Sequence, residues 1–466
     1  MSILYKNLNK EKIMKKMVVK KNKKAISVKI DDRFYAILDP SLKYSMRIVL
    51  KEQLELFNQI DGKKSVEELV ELSKKDKKLV MQFLMALKEV DLIDFDKTPK
   101  AKETKKIKHL NLWIHMTDKC NLRCKYCYVS TLDTYKTMSK EVLDRIEYKL
   151  IEAIEKDKEL SMIHLKLSGG EIFSKFDYWK DIVKRWKHLI EERKVVASIV
   201  CLSNMTILNE KIISYLKQNN ISVGVSLDGV GEFHDRNRVF INQKGTFKKV
   251  IENLEKLEKN GVKFSISTTV TNESVEGLGA LTRFLIKKGY PFRYTNVKGE
   301  PLDIDKLNRY YDISFEIMKN SIEDGFRFSN LYNQCDLTIH NPDKDICGMG
   351  KFGGAIYLDG KVYFCHTHFG RGEPLGDIFE DEPLPKIIKR GEKYWGELSE
   401  DCKKCPYEIV CAGACPVYRV NGKSPICEFY KNNIPKIYSL IAKENLTKAL
   451  KKKRKINKKI TIRESN

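Results

Sequence analysis

Between residues 110 and 297 the chain repeats one hydropathic pattern six times, a short apolar run followed by a longer stretch whose apolar residues recur every three or four positions. The runs 110–116, 162–167, 195–202, 221–227, 263–270 and 292–297 predict strands, and the stretches between them predict amphipathic helices. The clearest helix is 139–154, where Leu143, Ile146, Leu150, Ile151 and Ile154 share one face and Ser139 stands at the N-cap. Six β-then-α units imply a parallel sheet with right-handed crossovers, rolled as part of a barrel. Reactive groups in such a fold collect at the carboxyl ends of the strands.

Residues 25–98 follow another pattern. Short strands at 25–30 and 34–38 precede helical spacing at Ile48, Leu50, Leu54 and Leu56, then at Val66, Leu69 and Leu72, then at Val80, Phe83, Leu84, Leu87 and Val90. Asp61-Gly62 marks the turn between the first two helices, and Ser65 is an N-cap. This predicts a small independent α+β domain, joined by a lysine-rich linker (99–108, with Pro99) to the barrel domain (109–330). A cysteine-rich domain (331–430) and a basic tail (431–466) complete the chain, the densest lysine block, 448–459, reading as a frayed helix.

Composition adds limits. A chain of 466 residues should hold two or three domains. No stretch reaches the apolar length of a membrane span, and the basic N-terminus, 1–24, leads into no signal-type apolar core, so a cytoplasmic protein without a membrane partner is expected. The formal charge of +24 raises nucleic acid as a partner, but the lysines are spread along the chain among 63 acidic residues and no nucleic-acid motif accompanies them. Nucleic acid is therefore not expected; an acidic peptide suits the field better.

The twelve cysteines change the picture most. Cys120, Cys124 and Cys127 form a C-x3-C-x2-C run directly after the first barrel strand, too few thiolates to saturate a zinc ion or close a four-cysteine iron-sulfur cluster, so one iron would stay open to a ligand that is not protein. Cys347 and Cys365 stand in a C-x12-G-x4-C pattern around Gly360, and Cys402, Cys405, Cys411 and Cys415 in C-x2-C-x5-C-x3-C, with Cys427 beyond. Seven thiols suit two iron-sulfur clusters better than one zinc ribbon, although a zinc-bound, non-catalytic adaptor is the alternative from another class. Cys201 reads as a scattered buried thiol.

The other motifs share the rim. Ser168-Gly-Gly-Glu171 follows the second strand, Ser203-Asn204 the third, and Ser226 with Asp228 the fourth. Taken singly, Gly169-Gly170 and Asp228-Gly229 are ordinary turn signals. A G-x-G-x-x-G string at 348–353 precedes an apparent strand, 355–358, instead of opening a helix, and carries little weight. His366 and His368 flank a cysteine and read as pocket residues or partners of a ligand.

With Tyr126 before the last cysteine of the run, residues 109 to 430 resemble the radical S-adenosylmethionine (SAM) enzymes. The resemblance includes Gly-Gly-Glu, a Ser-Leu-Asp-Gly stretch followed by His234-Asp235 and Arg238, and Gly245-Thr-Phe. It implies a partial (β/α)6 TIM-like barrel, an α/β fold, flanked by the small N-terminal winged-helix-like α+β domain and a C-terminal cysteine-rich iron-sulfur domain. It also implies an oxidoreductase whose 4Fe-4S cluster on Cys120, Cys124 and Cys127 reduces SAM to a 5′-deoxyadenosyl radical. Gly169, Gly170 and Glu171 would hold the amino end of SAM, Asn204 would lie beside it, Ser226 and Asp228 would lie near its ribose and carboxylate, and Arg238 would pair the carboxylate; the rival for Arg238 is a surface ion pair. Ile172 stands where many members have proline.

The second array resembles the SPASM extension of that family, which implies two auxiliary 4Fe-4S clusters, the first on Cys347, Cys365 and Cys415, with Cys335 the candidate fourth ligand, and the second on Cys402, Cys405, Cys411 and Cys427. Residues 25–98 resemble PqqD-like domains, which implies a precursor peptide with a leader as partner, added as a strand to an open sheet edge. An electron donor such as flavodoxin or ferredoxin completes the partners. The string Ser168-Gly-Gly-Glu-Ile-Phe173 resembles thioether-forming sactipeptide maturases, so the expected function is a maturase that installs a thioether or other crosslink. Anaerobic sulfatase-maturing, formylglycine-generating enzymes are the rival; they place an aspartate base where this chain has His366, which becomes the candidate catalytic residue.

Overall fold

The structure is a computed structural model that describes residues 16–42, 45–97, 108–129, 135–329, 331–337 and 347–464. The expected linker, 99–108, lies outside the described residues except for Lys108.

The N-terminal unit begins at β1 (Val19–Lys21), ahead of the expected boundary at residue 25. It continues through β2 (Ile26–Lys29), β3 (Phe34–Leu38) and β4 (Met46–Leu50), then α1 (Lys51–Gln59), α2 (Val66–Ser73), α3 (Lys77–Lys88) and β5 (Ile93–Phe95). Strands β2, β3 and β4 form an antiparallel sheet in that order, and β1 pairs with β5 to tie the two ends together. One reading needs correction: Ile48 and Leu50 belong to strand β4 and not to the first helix. Ile48 and Val49 are β-branched, which suits a strand, and β3 supplies a five-residue ladder for them. The helix starts at Lys51, and Ser65 caps α2 in a reciprocal pair with Glu68.

The two faces of this sheet serve different cores. Ile37 and Val49 pack with Phe57, Leu69, Phe83, Leu84 and Leu87 inside the unit. Val28, Ile30, Ala36 and Leu38 face the main core of the protein, as the two-residue period of a strand requires.

Six parallel strands, β6 (Lys108–His115), β7 (Leu160–Ser168), β8 (Val196–Ser203), β9 (Ser222–Ser226), β10 (Phe264–Val270) and β11 (Phe292–Asn296), pair in chain order. Helices α4 (Lys140–Lys156), α5 (Phe176–Glu192), α6 (Glu210–Gln218), α7 (Phe247–Lys259), α8 (Leu278–Lys288) and α9 (Ile304–Asp324) complete the α/β partial barrel. Ile163, Leu165 and Leu167 of β7 are fully buried in the main hydrophobic core, while His164 and Lys166 alternate onto the opposite, inner face of the barrel. None of the six strands carries an aspartate or a glutamate.

The C-terminal region extends the sheet. Strand β12 (Gly353–Ile356) joins β6 in parallel, and β13 (Lys361–Tyr363) and β14 (Gly376–Asp377) follow antiparallel. The glycine string at 348–353 is the turn into β12, with Gly350 at a left-handed φ of 78°. The final helix, α10 (Cys427–Glu464), is more than a tail: Phe429, Ile434, Ile437, Tyr438 and Ile441 are buried in the main core against α9. Lys443 there bridges Asp31 of the N-terminal unit (3.2 Å) and Glu323 of α9 (2.8 Å). The lysine-rich sequence hid this stripe because the apolar positions end near Leu446 while the helix runs on.

Candidate active site

The cysteine loop leaves β6 and is laced down on two sides. On one side Gly170 and Glu171 donate their amides to the carbonyls of Thr117 (2.6 Å) and Lys119 (2.9 Å); on the other, Arg123 and Lys125 donate theirs to Val239 (2.8 Å) and Asn237 (3.0 Å). The two glycines are there for contact between backbones. A Cβ on Gly169 would lie 2.3 Å from the Thr117 carbonyl oxygen, and one on Gly170 2.5 Å from that of Lys119. Gly170→Ala should therefore displace the cysteine loop, at a cost of about 1–3 kcal/mol. The expected result is a folded protein that loses iron from the three-cysteine site, read by iron content and absorbance after anaerobic reconstitution.

The sulfurs face donors. Cys120 Sγ accepts from the Leu122 amide (3.4 Å) and lies 3.8 Å from Asn204 Nδ2, and Cys124 Sγ lies 3.8 Å from an Arg238 guanidinium nitrogen. Burial pushes the Cys120 thiol up to about 12 and Cys124 to about 11, so both hold their protons at neutral pH until a metal replaces them. Three soft sulfur ligands, two of them facing N–H donors, fit an iron-sulfur cluster.

Glu171 is fully buried and ties the tips of β7 and β8 together: its carboxylate accepts from Ser203 Oγ (2.8 Å), the Asn204 amide (2.8 Å) and the Phe173 amide (3.1 Å). Burial raises its carboxyl to about 7 against those hydrogen bonds. Asp228 accepts from Tyr126 Oη, from Arg238 Nε (2.8 Å) and from the Thr269 amide (3.0 Å). Arg238 is thus in a buried ion pair, not a surface one, and its guanidinium also lies 5.4 Å from the centroid of the Tyr126 ring. Ser226 closes β9 on the inner face, in register with Ser267.

The remaining motif residues are scaffolding for this pair. Burial pushes His234 down to about 4; its neutral ring accepts from the Asp228 amide (3.1 Å) and contacts Thr246 Oγ (2.9 Å), which donates to the Arg238 carbonyl (2.9 Å). Asp235 caps α7 through the Thr246 and Phe247 amides (2.7 and 2.8 Å), leaving no room for a Cβ on Gly245.

In the second array Cys402, Cys405, Cys411 and Cys427 line one cavity together with Tyr407, Lys423 and Tyr430. Burial raises the Cys415 thiol, and Cys365 lies close enough to raise it further. The turn between Cys411 and Cys415 runs through three left-handed residues, Ala412, Gly413 and Ala414, held by the Arg419 guanidinium on their carbonyls. This turn aims its two cysteines at different places. Cys335 is fully buried, left-handed at φ 60°, beside Tyr294, and its neighbour Gln334 is bonded to β11 at Tyr294 (3.2 Å) and Phe292 (3.1 Å). Cys201 is fully buried, with Glu171 the charge that acts on it. Among the described residues, no three Cys, His, Asp or Glu side chains converge as the ligands of one metal ion.

His366 and His368, singled out beside Cys365, meet residues at the junction of the two arrays that carried no motif. His366 stacks on Trp113 at 3.9 Å and has Nδ1 3.1 Å from Tyr128 Oη; burial and Lys166 push it down to about 3, so it is neutral. Beside it Asp118 binds His115 Nε2 (2.6 Å) and Tyr357 Oη (2.7 Å). His368 is buried next to Phe364 and Tyr394. A histidine at the end of β6 and a lysine inside β7 were the available signals.

The partial barrel and the three-cysteine loop at its rim define the class. Residues 114–285 match the Radical SAM superfamily model. The chain carries a radical SAM domain there and is an enzyme. It is similar to the cysteine-type anaerobic sulfatase-maturating enzyme of Clostridium perfringens, 28% identical over 331 residues, 64% of this chain and 85% of that one. It is also similar to the sporulation killing factor maturation protein SkfB of Bacillus subtilis, 25% identical over 285 residues, 58% of this chain and 62% of the relative. A solved structure of native anSMEcpe with bound AdoMet and Cp18Cys peptide covers 73% of this chain and 99% of its own, at TM-score 0.60 and 21% identity, a likeness of fold. Among the described residues no helix is long and apolar enough to cross a membrane.

Proposed function

We propose that this chain is a radical SAM peptide maturase of the cytoplasm that installs a thioether or another crosslink in a ribosomally made precursor peptide. Cys120, Cys124 and Cys127 would hold the 4Fe-4S cluster that, with SAM, supplies a 5′-deoxyadenosyl radical, and the two C-terminal cysteine groups would hold auxiliary clusters. Flavodoxin or ferredoxin would supply the electrons. His366, neutral and beside Cys365, would accept the proton released when the substrate bond forms.

The observation that carries the peptide reading is a groove of about 740 Å³ along β4, the edge strand of the N-terminal sheet, between α1 and α3. Its apolar wall includes Leu72 and Leu79, 51% and 59% exposed; Arg47 and Lys75 also line it, paired to Glu89 and Glu52, as does Glu55. An open strand edge beside an apolar groove suits an extended leader peptide, and the net charge of +24 suits an acidic one. Relatives that mature sulfatases favour a second reading, formylglycine formation on a protein cysteine or serine. Mass spectrometry with a hydrazine tag separates them: a crosslinked peptide loses two hydrogens, keeps its sulfur and takes no tag, formylglycine from cysteine loses the sulfur, and formylglycine from serine loses two hydrogens but carries an aldehyde that takes the tag. Loss of sulfur or tagging would replace the first reading with the second.

Glu171 would meet the ammonium group of SAM. The bare carboxyl titrates near 7, and an ammonium partner favours its ionised form, so binding requires proton loss below that pH. SAM affinity should fall about tenfold per pH unit below 7 and level off above it, measured by equilibrium binding to reconstituted protein. A flat profile from pH 6 to 8 would remove Glu171 from that role.

A further inference from the structure

Side chains of the six barrel strands alternate between the helix side and the inner face. On β11, Phe292, Tyr294 and Asn296 are buried toward the helices, where Tyr294 Oη meets Thr282 Oγ1 of α8 (2.7 Å) and Asn296 accepts from Tyr311 Oη of α9 (2.8 Å). Arg293 and Thr295 therefore point into the barrel; Arg293 is exposed and Thr295 half-buried, so this wall is open to a ligand. Arg293 stands in register with Ser267 of β10, and Ser267 with Ser226, which ends β9 at the candidate active site. Lys166 comes from β7, four strands round the same wall, and faces inward between the buried Leu165 and Leu167.

No carboxylate answers these two groups. The barrel strands carry none, and the acids at the rim are engaged: Glu171 by Ser203 and two amides, Asp228 by Arg238, and Asp118 by His115 and Tyr357. Among the described residues neither Arg293 nor Lys166 makes a hydrogen bond or an ion pair. Burial lowers the Lys166 ammonium and the Arg293 guanidinium adds to that, in keeping with one shared space. Arg293 holds its charge throughout the working pH range, and a lysine nitrogen has N–H donors with or without its extra proton.

We propose that the barrel lumen binds a carboxylate of the precursor peptide through Arg293, with Lys166 as second donor, and so selects peptides with an acidic group near the residue to be modified; this rests on the peptide reading above. A guanidinium fork matches a carboxylate through two parallel hydrogen bonds, and inside a barrel such a pair is screened less than in open water. An aspartate or glutamate side chain and the peptide's own C-terminus present the same group. No bond forms or breaks at these two residues, which bind and orient the peptide.

The test is equilibrium binding to the full chain, reconstituted with iron and sulfide and loaded with SAM, so that the charge of any cluster and the carboxylate of SAM are already in place. Three blocked tripeptides serve as probes: Ac-Gly-Glu-Gly-NH2, Ac-Gly-Gln-Gly-NH2 and Ac-Gly-Gly-Gly-OH. At least one of the two carboxylate peptides should bind about tenfold tighter than the glutamine peptide, the size of one charge-assisted hydrogen bond. Preference for the glutamate peptide assigns an acidic side chain, and preference for the free acid assigns the C-terminus. Arg293→Gln should abolish the preference, and Arg293→Lys, which keeps the charge without the fork, should weaken it, as should Lys166→Met. Arg283→Gln, an equal loss of charge at an exposed position of α8, should leave it as in the parent. Equal or undetectable binding of all three peptides, or a preference undiminished in either Arg293 variant, would overturn the proposal. Neither result bears on the peptide reading, which is decided by the mass of the modified product.

Discussion

Cys124→Ala should show no SAM cleavage, a loss of at least a thousandfold in deoxyadenosine formed under dithionite. The Cys124 sulfur is one of only three protein ligands at its site, and two cannot hold a cubane with an open iron. Arg238 touches that sulfur at 3.8 Å while paired to Asp228 at 2.8 Å, so the variant also loosens the Tyr126, Asp228 and Arg238 group. Iron content should drop by about a third, the share of one cluster in three. Cleavage equal to that of the parent would refute the assignment of the loop.

Cys411→Ala should separate radical generation from peptide modification. Cys411 lines the cavity shared with Cys402, Cys405 and Cys427, on the turn that Arg419 holds, and the barrel rim contributes none of the residues around that cavity. SAM cleavage should persist at a measurable fraction of the parent rate, while modified peptide, followed by mass spectrometry, should fall below detection. Full modification by this variant would mean that the second cysteine group takes no part in the reaction.

The barrel was legible because its strands are buried on the helix side, so apolar runs and helical periods alternate without interruption; the observed β7 is longer than the predicted run by two residues at its start and one at its end, and β10 starts one residue later and ends where predicted. The cysteine loop and the Gly-Gly-Glu turn were legible as motifs, but not the reason for the glycines, which is the packing of one loop's backbone on another's. Strand β4 was misread because the apolar residues from Ile48 to Leu56 straddle a strand-to-helix junction and fit a helical period by coincidence. Asp118, His115 and Tyr357 come together from a loop, the end of β6 and the residue after β12, and no local spacing encodes such a meeting. The role of α10 in the core depends on α9, more than a hundred residues earlier.

The most direct measurement is deoxyadenosine formation by the parent chain, reconstituted without oxygen with iron and sulfide and given SAM and dithionite. Deoxyadenosine should accumulate, with about twelve iron and twelve sulfide per chain. A protein that binds stoichiometric zinc, carries no sulfide and yields no deoxyadenosine would contradict the account.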